Sequence, residues 1–225
     1  KTGIEAAHEL RDRVGGTVTV ISMGPPQADV ALREALAMGC DEAILVSGRE
    51  FGGSDTYATS GILAAALRKI GYDVIITGRQ AIDGDTAQVG PQIGEKLGIP
   101  QVSYVEEIRE AADDHLIVKR HFEDGYHIIK IKTPCLLTAI AELAKPRYMS
   151  VSGIVKAYES EIKIIGFEDL KDDLELDMIG LKGSPTNVYK SFTKEVKGAG
   201  TILKDVSAEQ AVAAIMEKLE AKHII

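Results

Sequence analysis

The chain has no tryptophan, few other aromatics and only two cysteines, Cys40 and Cys135, in 225 residues. Both lie in apolar surroundings, AMGCDEAIL and KTPCLLTAI, without metal-binding spacing. They read as buried reduced thiols, which suits a reducing compartment and argues against a disulfide framework. No apolar run approaches the roughly 18 residues a spanning helix needs, so no membrane insertion is expected. The start shows no signal or transit character, and a cytoplasmic location is expected. Basic residues are too few for nucleic acid: the net charge is −8, the opposite of what counterion release requires. The five histidines, His8, His115, His121, His127 and His223, have no Cys, Asp or Glu at ligand spacing, so no metal site is expected. No Ser–His–Asp or Cys–His arrangement stands out, and no catalytic residue is assigned.

What is present is an ordinary globular balance, 45% hydrophobic and 27% charged, enough to bury a core. The length fits one large α/β domain or a medium domain with an extension. From Lys1 to Pro100, β-branched runs alternate with helical stretches. The runs are Thr17–Ser22, Ala43–Ser47 and Val74–Thr77; the helices fall near Gln27–Met38, Asp55–Ile70 and Thr86–Leu97. This alternation predicts a parallel sheet with crossover helices, whose strand-end turns converge on one crevice. The first residues run straight into a helical pattern (Ile4, Ala7, His8, Leu10, Val14), whereas an α/β domain ordinarily opens on a buried strand. An N-terminal strand and loop preceding the numbered chain are therefore expected.

From Val102 to Ile140 the period changes to two. Leu116–Phe122 and Tyr126–Lys132 read as a hairpin joined at Glu-Asp-Gly, followed by a third apolar strand, all extending the same sheet. Beyond Pro146, a loop leads into a short helix. Asp177–Leu203 then shows no convincing periodicity, and so long a structureless stretch suggests binding. A terminal helix follows with Ser207 as N-cap and apolar residues at Ala211, Val212, Ile215, Met216 and Leu219; this arm implies a partner surface, with an arm folded back on its own domain as the alternative. The expected organisation is a nucleotide-binding domain over residues 1–145, a docking and linking segment over 146–176, and an arm over 177–225.

The turn GRQAIDGDTAQVGPQIGEKLG sits between a strand and a helix, where diphosphates are commonly held, yet it has neither GxGxxG nor GK[ST]. Ahead of the helix, over Gly78–Gln88, its donors are Gln80, Thr86, Gln88 and backbone N–H groups, and Arg79 is the one cation. A helix start supplies free N–H groups and about half a positive charge, enough for a diphosphate without lysine. Asp85 reads as the helix N-cap, and Asp83 as an acceptor from backbone or ribose. Two readings stand at this point: an ordinary capped turn, or an adenine-nucleotide loop. The second turn, GREFGGSDTYATS, has adjacent glycines before Ser54, Asp55 and Thr56; it matches the SGGxDS loop of ATP pyrophosphatases poorly. In ISMGPP, Met23 ends a strand, and two readings stand: an ordinary solvent-capped turn, or a residue covering an adenine face in the crevice.

Taken together, GRQAIDGDTAQVGPQIGEKLGIPQ, ALAMGCDEAI, VKRHFEDG…KTPCLLTA and KPRYMSVSGIVKA resemble the beta subunit of electron-transfer flavoproteins over the whole chain. The hairpin region fits that family's signature at Val118, Arg120, Glu123, Asp124, Gly125, Ile129, Pro134, Leu136, Leu137 and Thr138, departing from it at His127. The resemblance implies an adenine-nucleotide alpha hydrolase-like α/β fold and an obligate heterodimer with an alpha subunit that holds most of one FAD. It implies that Met23 and the loop Gly78, Arg79, Gln80, Ala81, Ile82, Asp83, Gly84, Asp85, Thr86, Ala87, Gln88 and Val89 bind an adenine nucleotide. Members carrying only structural AMP tend to have a third acidic residue in this loop, where Gly84 stands here. The loop, with Phe51, Gly52, Asp55 and Thr56, is similar to the electron-bifurcating branch. That branch binds a second FAD in this subunit, takes hydride from NADH, and sends electrons to ferredoxin or flavodoxin and to an acyl-CoA dehydrogenase-like partner. AMP in place of the second FAD, in a plain electron carrier, is the alternative; a non-redox stress-type nucleotide-binding domain is the alternative of another class. PRYMSVSGIVK resembles the loop docking on the dehydrogenase, through Tyr148, Met149, Ser150 and the apolar anchor Val151.

Overall fold

A computed structural model describes residues 1–193, 198 and 200–225. The chain divides into two compact units, Lys1–Asn187 and Val188–Ile225. The first is mixed α/β and opens on helix α1, Thr2–Val14, which buries Glu5, Ala6 and His8. Three parallel strands form one sheet in the order β1 (Thr19–Met23), β2 (Glu42–Val46), β8 (Lys163–Ile165). Helix α2, Asp29–Met38, lays Leu32, Ala35 and Leu36 against Ala43 and Leu45 of β2. Helix α3, Thr56–Ile70, buries a small-residue face, Ala58, Ile62, Ala65 and Ala66, that lets it lie close on the sheet.

The second sheet has five strands in the order β3–β7–β4–β5–β6. These are β3 (Val74–Gly78), β4 (Gln101–Ala111), β5 (His115–Phe122), β6 (Gly125–Lys132) and β7 (Cys135–Ala139). All five residues of β7 are buried, as expected of a strand covered on both faces. Leu136 and Leu137 alone contribute about 1.5–3 kcal/mol each by leaving water.

A single sheet carrying all three early strands was expected, and here the structure differs. β3 pairs with β7 in the sheet that holds the hairpin, and no strand among the described residues bonds β1 to β3. Side-chain packing joins the two sheets instead, with Ile21 of β1 reaching the cluster of Leu67, Ile75, Ile93 and Leu136. The hairpin and the third apolar strand form as expected. The long strand β4 has no clear sequence signal, because register shifts break its alternation at three places.

Helix α4, Val89–Leu97, follows β3 and packs beside α3. Helix α5, Val151–Glu159, is capped by Ser150, whose Oγ accepts from the Gly153 N–H at 2.9 Å. A short helix, α6 (Phe167–Leu170), follows β8. Within the second unit, helix α7, Ala208–Ala221, starts at Ser207 as expected, with Gln210 completing a reciprocal cap. The arm expected over Asp177–Leu203 includes residues 194–197 and 199, which lie outside the described residues. Its first part is not free: Ile179 is 2% exposed in the cluster of Val46, Phe51 and Ile62, so that stretch belongs to the first unit.

Candidate functional site

The loop from Gly78 to Thr86 is exposed throughout, with Ile82 at 99%. Helix α4 begins at Val89, later than the expected Thr86, and Asp85 is not its cap. Asp85 and Ala87 have φ of 52° and 53°, left-handed values that no helix accepts, and the Asp85 carboxylate meets the Gln80 amide instead. Holding two non-glycine residues there costs roughly 1 kcal/mol or more each, a cost typical of ligand loops. The Gly84 N–H donates to Asp83 Oδ1 at 2.9 Å, which closes the loop tip on itself.

No side chain caps α4, and Pro91 in its first turn carries no N–H, so the helix start keeps donors at Val89 and Gly90. Gly90 is required here. A β-carbon at this position would fall 2.6 Å from Thr77 Oγ1 and 3.0 Å from Thr138 Cγ2. The helix start therefore lies flush on the carboxyl ends of β3 and β7, where nucleotides bind in open parallel sheets. In the sequence, Gly90 carries no mark of this role beyond being a glycine at the start of a helical pattern.

The second turn reaches the first through one contact: Thr56 Oγ1 donates to Gln88 Oε1 at 2.9 Å. Asp55 is the N-cap of α3, its Oδ1 accepting from the N–H groups of Tyr57 and Ala58 at 2.9 and 3.0 Å. Its Oδ2 accepts from the Thr186 N–H and hydroxyl at 3.0 and 2.8 Å. Desolvation works to raise this carboxyl's pKa, but the donors from Ala58, Thr186 and Tyr57 outweigh it and hold the group below its usual value. Both Asp55 oxygens are thus engaged by the chain itself. Phe51 is buried at 4%, and Gly52 lies exposed beside it. Met23 is half-buried against the cluster of Val46 and Phe51. The two loops meet at Thr56 and Gln88, and Met23 packs with Phe51 of the second turn.

The segment Tyr148–Val151 leads into α5, which packs on α2, and it follows Arg147, which is tied to α1. Tyr148 is 97% and Val151 80% exposed, with Met149 and Ser150 also at the surface. Arg147, which the sequence did not single out, anchors this segment by donating to Glu5 from its backbone N–H and its guanidinium. Sequence spacing gives no hint of that ion pair, since its partners lie at opposite ends of the first unit.

Both thiols are buried, and desolvation pushes Cys40 and Cys135 up to about 11, so neither is reactive near neutrality. Among the described residues, no group of three His, Cys, Asp or Glu is placed to hold a metal. No helix among them is long and apolar enough to cross a membrane.

The donor set fits a phosphate-bearing nucleotide: an uncapped helix start, one arginine, and a Gly84 whose added β-carbon would meet nothing within 4 Å. These features define an α/β protein with loops gathered at the carboxyl ends of parallel strands. The electron transfer flavoprotein domain matches residues 2–169. Over its full length the chain is 54% identical to electron transfer flavoprotein subunit beta of Clostridium acetobutylicum, covering 85% of that protein. It is 52% identical to acryloyl-CoA reductase electron transfer subunit gamma of Anaerotignum propionicum, covering all of this chain and 85% of that one. To caffeyl-CoA reductase-Etf complex subunit CarD of Acetobacterium woodii it is 50% identical, over 99% of this chain and 84% of that one. The chain belongs to the electron transfer flavoprotein family, as a beta subunit, which implies an alpha-subunit partner. This membership sets aside the stress-type alternative.

Proposed function

We propose that this beta subunit binds a second FAD at the Gly78–Val89 loop and serves an NADH-dependent, electron-bifurcating flavoprotein. The observation that carries the reading is the exposed loop itself, held in left-handed turns beside an uncapped helix start, with Gly84 in open space between two aspartates. Here the N–H groups of Val89 and Gly90, with Arg79, bind the diphosphate. Asp83 orients a ribose hydroxyl, and the half-buried Met23 offers apolar surface to adenine. Phe51 and Asp55 shape the site from behind. When bound, the second FAD supplies the chemistry of accepting hydride from NADH and splitting the electron pair.

The acceptors of such a subunit would be ferredoxin or flavodoxin and, by way of the alpha-subunit FAD, an acyl-CoA dehydrogenase-like partner, which Tyr148, Met149, Ser150 and Val151 would dock. Relatives named for acryloyl-CoA and caffeyl-CoA reductase complexes support a partner that handles acyl-CoA. The segment Val188–Ile225, with Tyr189, Phe192, Val212 and Ile215 exposed, is read as the contact with the alpha subunit. The test is to purify the heterodimer, denature it and count the nucleotides released. Two FADs support the reading. One FAD with one AMP assigns the loop to structural AMP, and the subunit is then a plain electron carrier.

A further inference from the structure

The loop before α3 is held by a distant part of the chain. Ile179 is driven into the core beside Phe51, and Gly180, at φ +60°, presses against the loop backbone. A β-carbon on Gly180 would fall 2.3 Å from the Glu50 carbonyl oxygen, so no other residue fits. The Gly180 N–H donates to Ser54 Oγ at 3.1 Å. The buried Ser184 Oγ accepts the Asp55 N–H at 2.8 Å and has the Gly180 carbonyl at 2.6 Å to receive its own proton. Two residues on, Thr186 donates twice to the Asp55 oxygen that the α3 cap leaves over. Ordering so irregular a segment costs backbone entropy at every residue. It is nevertheless tied to the loop at every second residue or so.

We propose that Ile179–Thr186 is a clamp that sets the nucleotide loop, with Ser184 and Thr186 as positioning residues acting through Asp55, Thr56 and Gln88. The inference rests on the reading that Gly78–Val89 holds an adenine nucleotide. The clamp fixes the carboxylate of Asp55 from outside while α3 fixes it from inside. The start of α3 therefore has one orientation, and Thr56 presents its hydroxyl to Gln88 at 2.9 Å. Gln88 is the residue from which α4 departs, so its position sets the first-turn donors. Thr186 touches no nucleotide; it acts at one remove.

The experiment uses the assembled heterodimer, stripped of exchangeable nucleotide and titrated calorimetrically with FAD and, separately, with AMP. Thr186→Val removes the hydroxyl donor at an exposed position and should weaken binding about tenfold. Thr186→Ser, which keeps the hydroxyl, should restore it. In a Thr56→Val background, where the relay is already cut, Thr186→Val should add no further loss. Ser184→Ala should behave as Thr186→Val does; if it disturbs assembly, the Thr186 series decides alone. A wild-type heterodimer that binds no adenine nucleotide beyond the alpha-subunit FAD overturns the underlying reading. Wild-type binding that survives Thr186→Val, fails to return with Thr186→Ser, or falls additively with Thr56→Val overturns the clamp and leaves that reading intact.

Discussion

Arg147 holds the buried carboxylate of Glu5 across the first unit, its Nη2 at 2.8 Å and its backbone N–H at 3.0 Å. The Glu5 side chain is 7% exposed and that of Arg147 36%, so the pair is shielded on one side only. Asp12 adds a weaker contact at 3.3 Å. Because the residue after Arg147 begins the exposed segment Tyr148–Val151, the ion pair fixes where that segment leaves the body. Glu5→Ala leaves the guanidinium without its main partner and should cost about 2 kcal/mol, toward the low end for broken shielded pairs. A fall of roughly 4–8 °C in the thermal midpoint checks this; no change would show the pair to be idle.

Acid should loosen the same region in two stages. His8 is fully buried with neither ring nitrogen bonded among the described residues, and burial, with Arg147 and Arg11 nearby, pushes its pKa below the ordinary value against the opposing pull of Glu5 and Asp12. A group whose folded pKa is depressed stabilises the fold above its unfolded pKa. The contribution of His8 is thus complete above about pH 6.5 and is lost as pH falls toward its folded value. Glu5, depressed chiefly by the Arg147 hydrogen bond, follows below its unfolded pKa of about 4.3. Thermal midpoints at pH 7 and 5.5 should drop for the wild type and much less for His8→Leu. Parallel curves would exonerate His8.

On the function proposed above, Val151→Asp should impair electron transfer to the docked acyl-CoA dehydrogenase-like partner while sparing NADH oxidation by artificial dyes. The fold should not suffer, because Val151 is the first residue of α5 and a carboxylate is welcome at a helix N-terminus. An apolar anchor replaced by a charge loses a few kcal/mol at an interface, on the order of a hundredfold in the transfer rate at limiting partner. If both activities fell together, the segment would be structural.

Gly84→Asp tests the choice between FAD and AMP. Backbone strain is excluded as a rival cause, since Gly84 has no left-handed φ and a β-carbon there meets open space. A carboxylate about 6 Å from a diphosphate charge costs roughly 3 kcal/mol at an effective dielectric near 20, about a hundredfold in affinity. Charge weakens both nucleotides alike, so selective loss of FAD must come from the bulk of the side chain. Nucleotides released from the denatured variant heterodimer are counted. Two FADs per heterodimer would remove Gly84 from the argument.

The helices and the hairpin were legible because their signals are local: Asp55 before α3, Ser207 with Gln210 before α7, Glu-Asp-Gly between β5 and β6. What the sequence hid was placement. Asp85 looked like a cap because it precedes a helix, but two left-handed residues and Pro91 postpone the helix to Val89. Phe51, which the resemblance places at the site, is 4% exposed, and its spacing gave no sign of that burial. The segment through Ile179 and Ser184 read as part of a partner-binding arm because its order comes from hydrogen bonds to a loop far away in sequence. The Glu5–Arg147 pair was invisible for the same reason.

Strand β4 joins two kinds of ladder. Its first residues run parallel to β7 and its last run antiparallel to β5, and at the bend Tyr104, at φ 58°, gives its N–H to Thr138 Oγ1 at 3.0 Å. The antiparallel side is built from neighbours in sequence and needs only short loop closures. The parallel side waits for β3 and β7 to meet across the whole hairpin. Folding should therefore start at β5–β6, with β4 as the seam from which the slower, nonlocal half is zipped.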